Sequence, residues 1–271
     1  MNKTEYTSAL LREKYTYIEH ASGLPIYVFP KKMTNTYALF ATKYGSLDTT
    51  FAIGNGKPVT VPDGIAHFLE HKLFEAPDGS DAFARFSALG ADSNAYTDYT
   101  KTAYLCACTE NVEAALEELL RFVTTPHFTE ASVKKEQGII GQEIIMNEDS
   151  PDTRIFENLM TAMYRSHPIR VPILGTRQTI TAITPQVLHQ CHRAFYRPDN
   201  MLLCVVGDVD PDQVAQLAQQ VLGEETGPVV TREDAWQEEM ICPQPVVTAR
   251  MEVAMPMFQI GFKSEPLESG E

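Results

Sequence analysis

The five residues "HFLEH", His67 to His71, put two imidazoles and a carboxylate within little more than one turn of a helix. At ~100° per residue, His67 and His71 lie one turn apart and Glu70 falls beside them, so all three project to one side. Neutral imidazoles are good ligands for Zn²⁺, which polarises a carbonyl and brings the pKa of a water toward ~7. A carboxylate beside that water can take its proton and later deliver it to a leaving amine, which makes Glu70 the candidate general base. The alternative is a polar turn of an ordinary helix, met by chance.

A catalytic zinc site needs a third protein ligand. In "KKEQGIIGQEIIMNEDSP", Glu136, Ile139, Ile140, Glu143 and Asn147 fall on one helical stripe, which places Glu143 in the middle of an apolar face. A buried carboxylate is unfavourable unless a cation or a metal compensates it. Glu143 is therefore the expected third ligand, with an ion pair to a basic side chain as the alternative. Glu136, two turns earlier, could orient a zinc-bound histidine from behind. His189 and His192 in "HQCH" are also one turn apart, but a short amphipathic helix explains them. Cys106 and Cys108 share a strand face, as packing residues do.

These residues need elements to hold them. The hydrophobic pattern gives two strands between Tyr15 and Lys32 around "ASGLP", a third over Thr36 to Ser46, and a strand from Asn94 to Thr109. Helices are expected at HFLEH, from Asp81 to Leu89, over "NVEAALEELLRFV", from about Ser132 to Met146, and over "SPDTRIFENLMTAMY", "TPQVLHQCHRAFY" and "DPDQVAQLAQQVL". "NMLLCVVGDV" reads as a buried strand. The order lacks a strict βαβ rhythm, so the expected fold class is α+β, one largely antiparallel sheet with helices packed on a face. After Leu222 the sequence turns polar and is broken by Gly and Pro. The expected organisation is thus a zinc-binding domain over 1–225, then a linker and a further strand or strands over 226–271, with "VVTARMEVAMPMFQIGFK" regaining strand character.

The chain has 271 residues, 44% hydrophobic and 21% charged, the balance of a folded domain. Its 36 acidic against 22 basic residues give a net charge of −14, which argues against nucleic acid or an anionic membrane as partner. No leader-like or spanning apolar run is present, so a cytoplasmic protein is expected, and five cysteines without a CxxC pair point to reduced thiols.

"HFLEH" is the inverted H-x-x-E-H arrangement. Together with "SNAYTDYTKTAYL", "KEQGIIGQEIIMNEDSPDTR", "HPIRVPILGT" and "FYRPDNMLLCVVGDVDP", it resembles the pitrilysin/insulinase family of zinc metallopeptidases over about Tyr15 to Pro211, and looks closest to small bacterial members similar to processing proteases. The resemblance implies a fold like insulinase and the mitochondrial processing peptidase. It implies Zn²⁺ on His67, His71 and Glu143, Glu70 as general base, Glu136 as an accessory catalytic glutamate, and Asn94 and Ala95 as holders of the substrate backbone. A peptide or unfolded polypeptide would then lie along a sheet edge. The family also implies two similar halves, the second supplying an Arg/Tyr pair. No such half is seen, so the chain is expected to be an amino-terminal half, weakly active or inactive alone, in need of its second half and of a related partner subunit.

Two rivals to a zinc endopeptidase remain. A catalytically silent partner subunit would usually lack part of the motif. A zinc lyase resembling S-ribosylhomocysteine lyase would be much shorter and would use a cysteine as its third ligand.

Overall fold

The computed structural model describes residues 2–224, 227–233 and 236–264. Period-two burial builds its main sheet. In β2 (Glu13–Glu19) Thr16 and Ile18 are buried, in β3 (Pro25–Pro30) Ile26 and Val28, in β4 (Thr36–Thr42) Ala38 and Phe40, and in β9 (Met201–Gly207) Met201, Leu203 and Val205. Successive side chains of a strand point to opposite faces, so these residues form one continuous apolar face. With β1 (Asn2–Ser8), β7 (Ala91–Thr97) and β8 (Thr102–Cys108), the seven strands run in the order β1-β2-β3-β9-β4-β8-β7. Only the β3–β9 neighbours are parallel, so the sheet is largely antiparallel as expected.

Helices cover that apolar face. α1 (Ile65–Leu73) packs on β7 and β8, α2 (Ala82–Ala88) on β7, α3 (Val112–Thr124) on β4 and β8, and α8 (Pro211–Leu222) on β3. α7 (Pro185–Phe195) meets α1, while α4 (Glu130–Glu148) lies against α1, α5 (Pro151–Met163) and the short α6 (Arg177–Ile180). Start signals agree with the sequence: Thr129, Ser150, Thr184 and Asp210 each cap the helix that follows, three of them with Pro in the first turn.

Four expectations change. The segment read as one strand from Asn94 to Thr109 is the hairpin β7–β8. Asp98 turns it by accepting the N–H groups of Thr100 and Lys101, a local bond that ends the ladder. The polar amino terminus forms β1, a full seven-residue partner for β2, and a loop segment forms the small strands β5 (Thr50–Ile53) and β6 (Val59–Thr60). Within the expected linker, β10 (Val230–Arg232) folds back to pair with β5, and Arg232 Nε meets Asp48 Oδ1 at 2.7 Å. Finally, "VVTARMEVAMPMFQIGFK" carries no strand. Strand-like sequence becomes strand only beside a hydrogen-bonding neighbour, and it has none among the described residues; Met255, Phe258, Ile260 and Phe262 are exposed. Through Lys263 that segment meets Glu238, which is bound to the turn after α5. The Glu238 carboxylate accepts the N–H groups of Arg165, Ser166 and His167 and meets Lys263 Nζ at 3.2 Å; burial alone would raise its pKa, but these partners hold it well below the carboxylate range.

Candidate metal centre

The position of α1 follows from its composition. Ile65, Ala66, Phe68, Leu69 and Leu73 are all buried, Phe68 and Leu69 completely, so the helix is enclosed rather than laid on a surface. Its entry is equally constrained. Gly64 has φ 89°, and a Cβ there would stand 2.3 Å from the Leu174 carbonyl oxygen; a Cβ on Gly175 would stand 2.4 Å from that of Asp63. The two glycines let the "PILGT" turn press against the first turn of α1, which sets Leu174 at the rim of the cleft.

From this enclosed helix His67, Glu70 and His71 face α4 across a cleft of about 1090 Å³. His67 Nε2 is 3.6 Å from Glu143 Oε1, and His71 Nε2 is 3.7 Å from Glu143 Oε2. One donor atom from each of the three residues lies within 4.8 Å of the others. These separations exceed a hydrogen bond of ~2.7–3.2 Å. They approach the roughly 3.4 Å expected between two donors that each stand ~2.1 Å from a tetrahedral zinc. The donor set, two imidazole nitrogens and a carboxylate, is one that zinc takes. Burial, helped by His71, pushes the His67 pKa down to about 3, so this ring is neutral and keeps a lone pair. Glu136 Oε1 lies 3.0 Å from His71 Nδ1; with Nδ1 donating to that carboxylate, the neutral ring leaves Nε2 bare toward Glu143. The residues therefore fit a zinc ion.

The charges here depend on one another. Burial would lower the His71 pKa, but the Glu136 hydrogen bond and the nearby Glu70 and Glu143 raise it overall. Burial raises Glu70 and Glu143. Among the described residues the ion-pair contacts of Glu143 are the two histidines, not a Lys or Arg. The expected apolar stripe around Glu143 is also different in kind. Val133, Ile140 and Ile144 form the buried face of α4, whereas Ile139 is 45% exposed and lines the cleft with Glu136, Glu143 and Asn147. The carboxylate stands at an open wall beside the core rather than within it.

Asn94 and Ala95 line the same cleft from β7, the outermost strand of the sheet. Asn94 Oδ1 accepts the Ala95 N–H at 2.9 Å. Thr97, absent from the sequence expectations, donates to Glu70 Oε2 at 2.7 Å. A signal for it existed: residues two apart share a strand face, so an Ala95 in the cleft brings Thr97 with it. His189 and His192 do not converge. His192 is buried on Tyr196 with Nε2 2.9 Å from the Val123 carbonyl, and His189 packs on Phe128. Cys106 and Cys108 are buried, and burial pushes the Cys106 thiol up to about 12.

Fold and site together define an α+β chain with an inverted histidine pair facing a helix-borne glutamate. Comparison with known proteins places that class. The profile described as "Insulinase (Peptidase family M16)" matches residues 59–177, and that of the "Peptidase M16 inactive domain" matches residues 182–271. The chain belongs to peptidase family M16, the insulinase family. It is 45% identical over 267 residues to YmfH of Bacillus subtilis, an uncharacterized zinc protease, covering 96% of this chain and 62% of that one. A crystal structure of an M16-like peptidase from Alicyclobacillus acidocaldarius superposes with a TM-score of 0.80 at 39% identity, over 85% of this chain and 55% of that chain. A Helicobacter pylori protease shares the fold at 22% identity, with a TM-score of 0.70 and 84% of this chain covered against 55% of its own. The chain thus spans about three fifths of these relatives' length. No described helix is long and apolar enough to cross a membrane.

Proposed function

We propose that this chain carries the zinc centre and general base of a metalloendopeptidase acting on peptides or unfolded polypeptides. The observation that carries the reading is the convergence of His67, His71 and Glu143 with Glu70 at their side and outside the donor trio. The name of the Bacillus subtilis relative supports it. His67, His71 and Glu143 would hold Zn²⁺, which when bound polarises a carbonyl and acidifies a water.

The chain's own residues do the rest. Burial keeps His67 neutral, and Glu136 fixes the tautomer and the ring plane of His71. Glu70 takes the proton of the attacking water and later returns it to the amine nitrogen as the peptide bond breaks. An extended peptide pairs with the free edge of β7, where Asn94 and Ala95 meet its backbone and supply affinity with little demand on sequence. We place the zinc-binding domain within residues 1–225, and we assign closure over the cleft to the second half that family resemblance implies. A silent-subunit reading gains something from the inactive-domain match at 182–271, yet His67, Glu70, His71 and Glu143 all lie within the other matched stretch. A lyase reading gains nothing: the candidate donor group among the described residues contains no cysteine.

The Glu70→Gln variant tests the assignment. An amide keeps the shape and loses the basicity, so zinc stoichiometry by elemental analysis should stay at the wild-type value while hydrolysis of an unstructured peptide disappears. Loss of zinc would make Glu70 a ligand, and retained hydrolysis would remove it as the base.

A further inference from the structure

The two oxygens of Glu70 are held differently. Oε2 lies 2.7 Å from the hydroxyl of Thr97, the last residue of β7, whereas Oε1 has no hydrogen-bond partner among the described residues. Thr97 Oγ1 also lies 3.2 Å from Thr102 Oγ1, its register partner on β8, and Thr102 donates to the Tyr44 carbonyl at 2.9 Å. Each threonine has a single hydroxyl hydrogen. That of Thr102 goes to the carbonyl, so Thr102 offers Thr97 only a neutral lone pair at the longer distance. Glu70 offers an anionic one at the shorter distance, and charge-assisted hydrogen bonds are roughly twice as strong as neutral ones. The hydrogen of Thr97 therefore points at Glu70. Its anchor is firm, since Thr102 and Tyr44 are completely buried.

A glutamate side chain has three rotatable bonds, and among the described residues Thr97 is the only group that hydrogen-bonds this carboxylate. We propose, resting on the reading of Glu70 as general base, that Thr97 is a positioning residue. Its hydroxyl ties Oε2 to the β7–β8 hairpin and so leaves Oε1 as the oxygen that meets the proton. The same strand that receives the peptide backbone then sets the base. Substrate and base share one rigid reference, which is the kind of alignment on which rate depends steeply.

The test uses Thr97→Val, which keeps the branched shape and removes the hydroxyl, Thr97→Ser, which restores the hydroxyl without the methyl, and Thr97→Ala, which cannot crowd the site. Crystal structures report the Glu70 carboxylate directly, and zinc content, kcat and KM are measured on the loaded protein. We expect Val and Ala to release the carboxylate from its wild-type position and lower kcat by ~10–100-fold, with KM and zinc stoichiometry unchanged and Ser within about threefold of wild type. An unmoved Glu70 in Val and Ala, an unchanged kcat, or a Ser variant as impaired as Val would overturn the proposal. If the wild type hydrolyses no peptide even when its second half is supplied, the peptidase reading fails by itself and the crystallographic arm still decides the positioning role.

Discussion

The two helices that build the centre are held in opposite ways. α1 is buried along almost its whole length and enters through a glycine that tolerates no side chain. α4 gives one face to the core through Val133, Ile140 and Ile144 and leaves another, with Ile139 and Glu143, to the cleft. His67, Glu70 and His71 thus sit on the element with least freedom, while Glu143 comes from a wall open to solvent. On the proposed reading, a site divided in this way would keep its reacting groups fixed where the geometry is most demanding and take substrate past the side that is less enclosed.

The sharpest way to break this contrast is to remove packing from each helix. Phe68→Ala in α1 should destabilise the chain by ~3–5 kcal/mol, because the side chain is fully buried and the surroundings relax little. Ile139→Ala in α4 should stay within about 0.5 kcal/mol. Chemical denaturation of both variants checks it, and similar losses would mean that α4 is as much a core helix as α1.

A smaller effect should come from glycine. Gly64→Ala meets both a left-handed backbone and the Leu174 carbonyl, so a loss of more than ~1–3 kcal/mol is expected. Gly138, inside α4, has no atom within 4 Å of an added Cβ, so Gly138→Ala should raise stability by ~0.5–1 kcal/mol. Thermal melts of the pair give opposite signs if the contrast holds. Destabilisation by both would show that the α4 glycine makes room for something else.

Much of the site was legible because its signal is local. His67, Glu70 and His71 occupy one turn, and Glu136 and Glu143 lie seven apart on one helix, spacings that survive whatever the tertiary structure does. Helix caps such as Thr129, Ser150 and Asp210 are local as well. What was missed depends on partners distant in sequence. Thr97 meets Glu70 only because β7 runs under α1, and its one sequence signal, the two-residue spacing from Ala95, depends on β7 being read as the cleft strand. β1 has the composition of a polar tail and becomes a strand through β2, whereas the apolar alternation at 251–263 finds no ladder and stays irregular. Glu143 was singled out on a partly wrong premise: the apolar residues beside it are divided between the core and the cleft wall.

The central claim, that α1 and α4 together form a zinc centre with Glu143 as donor and Glu136 behind His71, is tested most directly by zinc affinity. Chelator competition would compare the wild type with Glu143→Gln and Glu136→Gln. The account predicts one zinc per chain, a loss of ~10²-fold or more for Glu143→Gln, and a smaller loss of about tenfold for Glu136→Gln. Equal or reversed sensitivity at the two positions, or a wild type that binds no stoichiometric zinc, would contradict it.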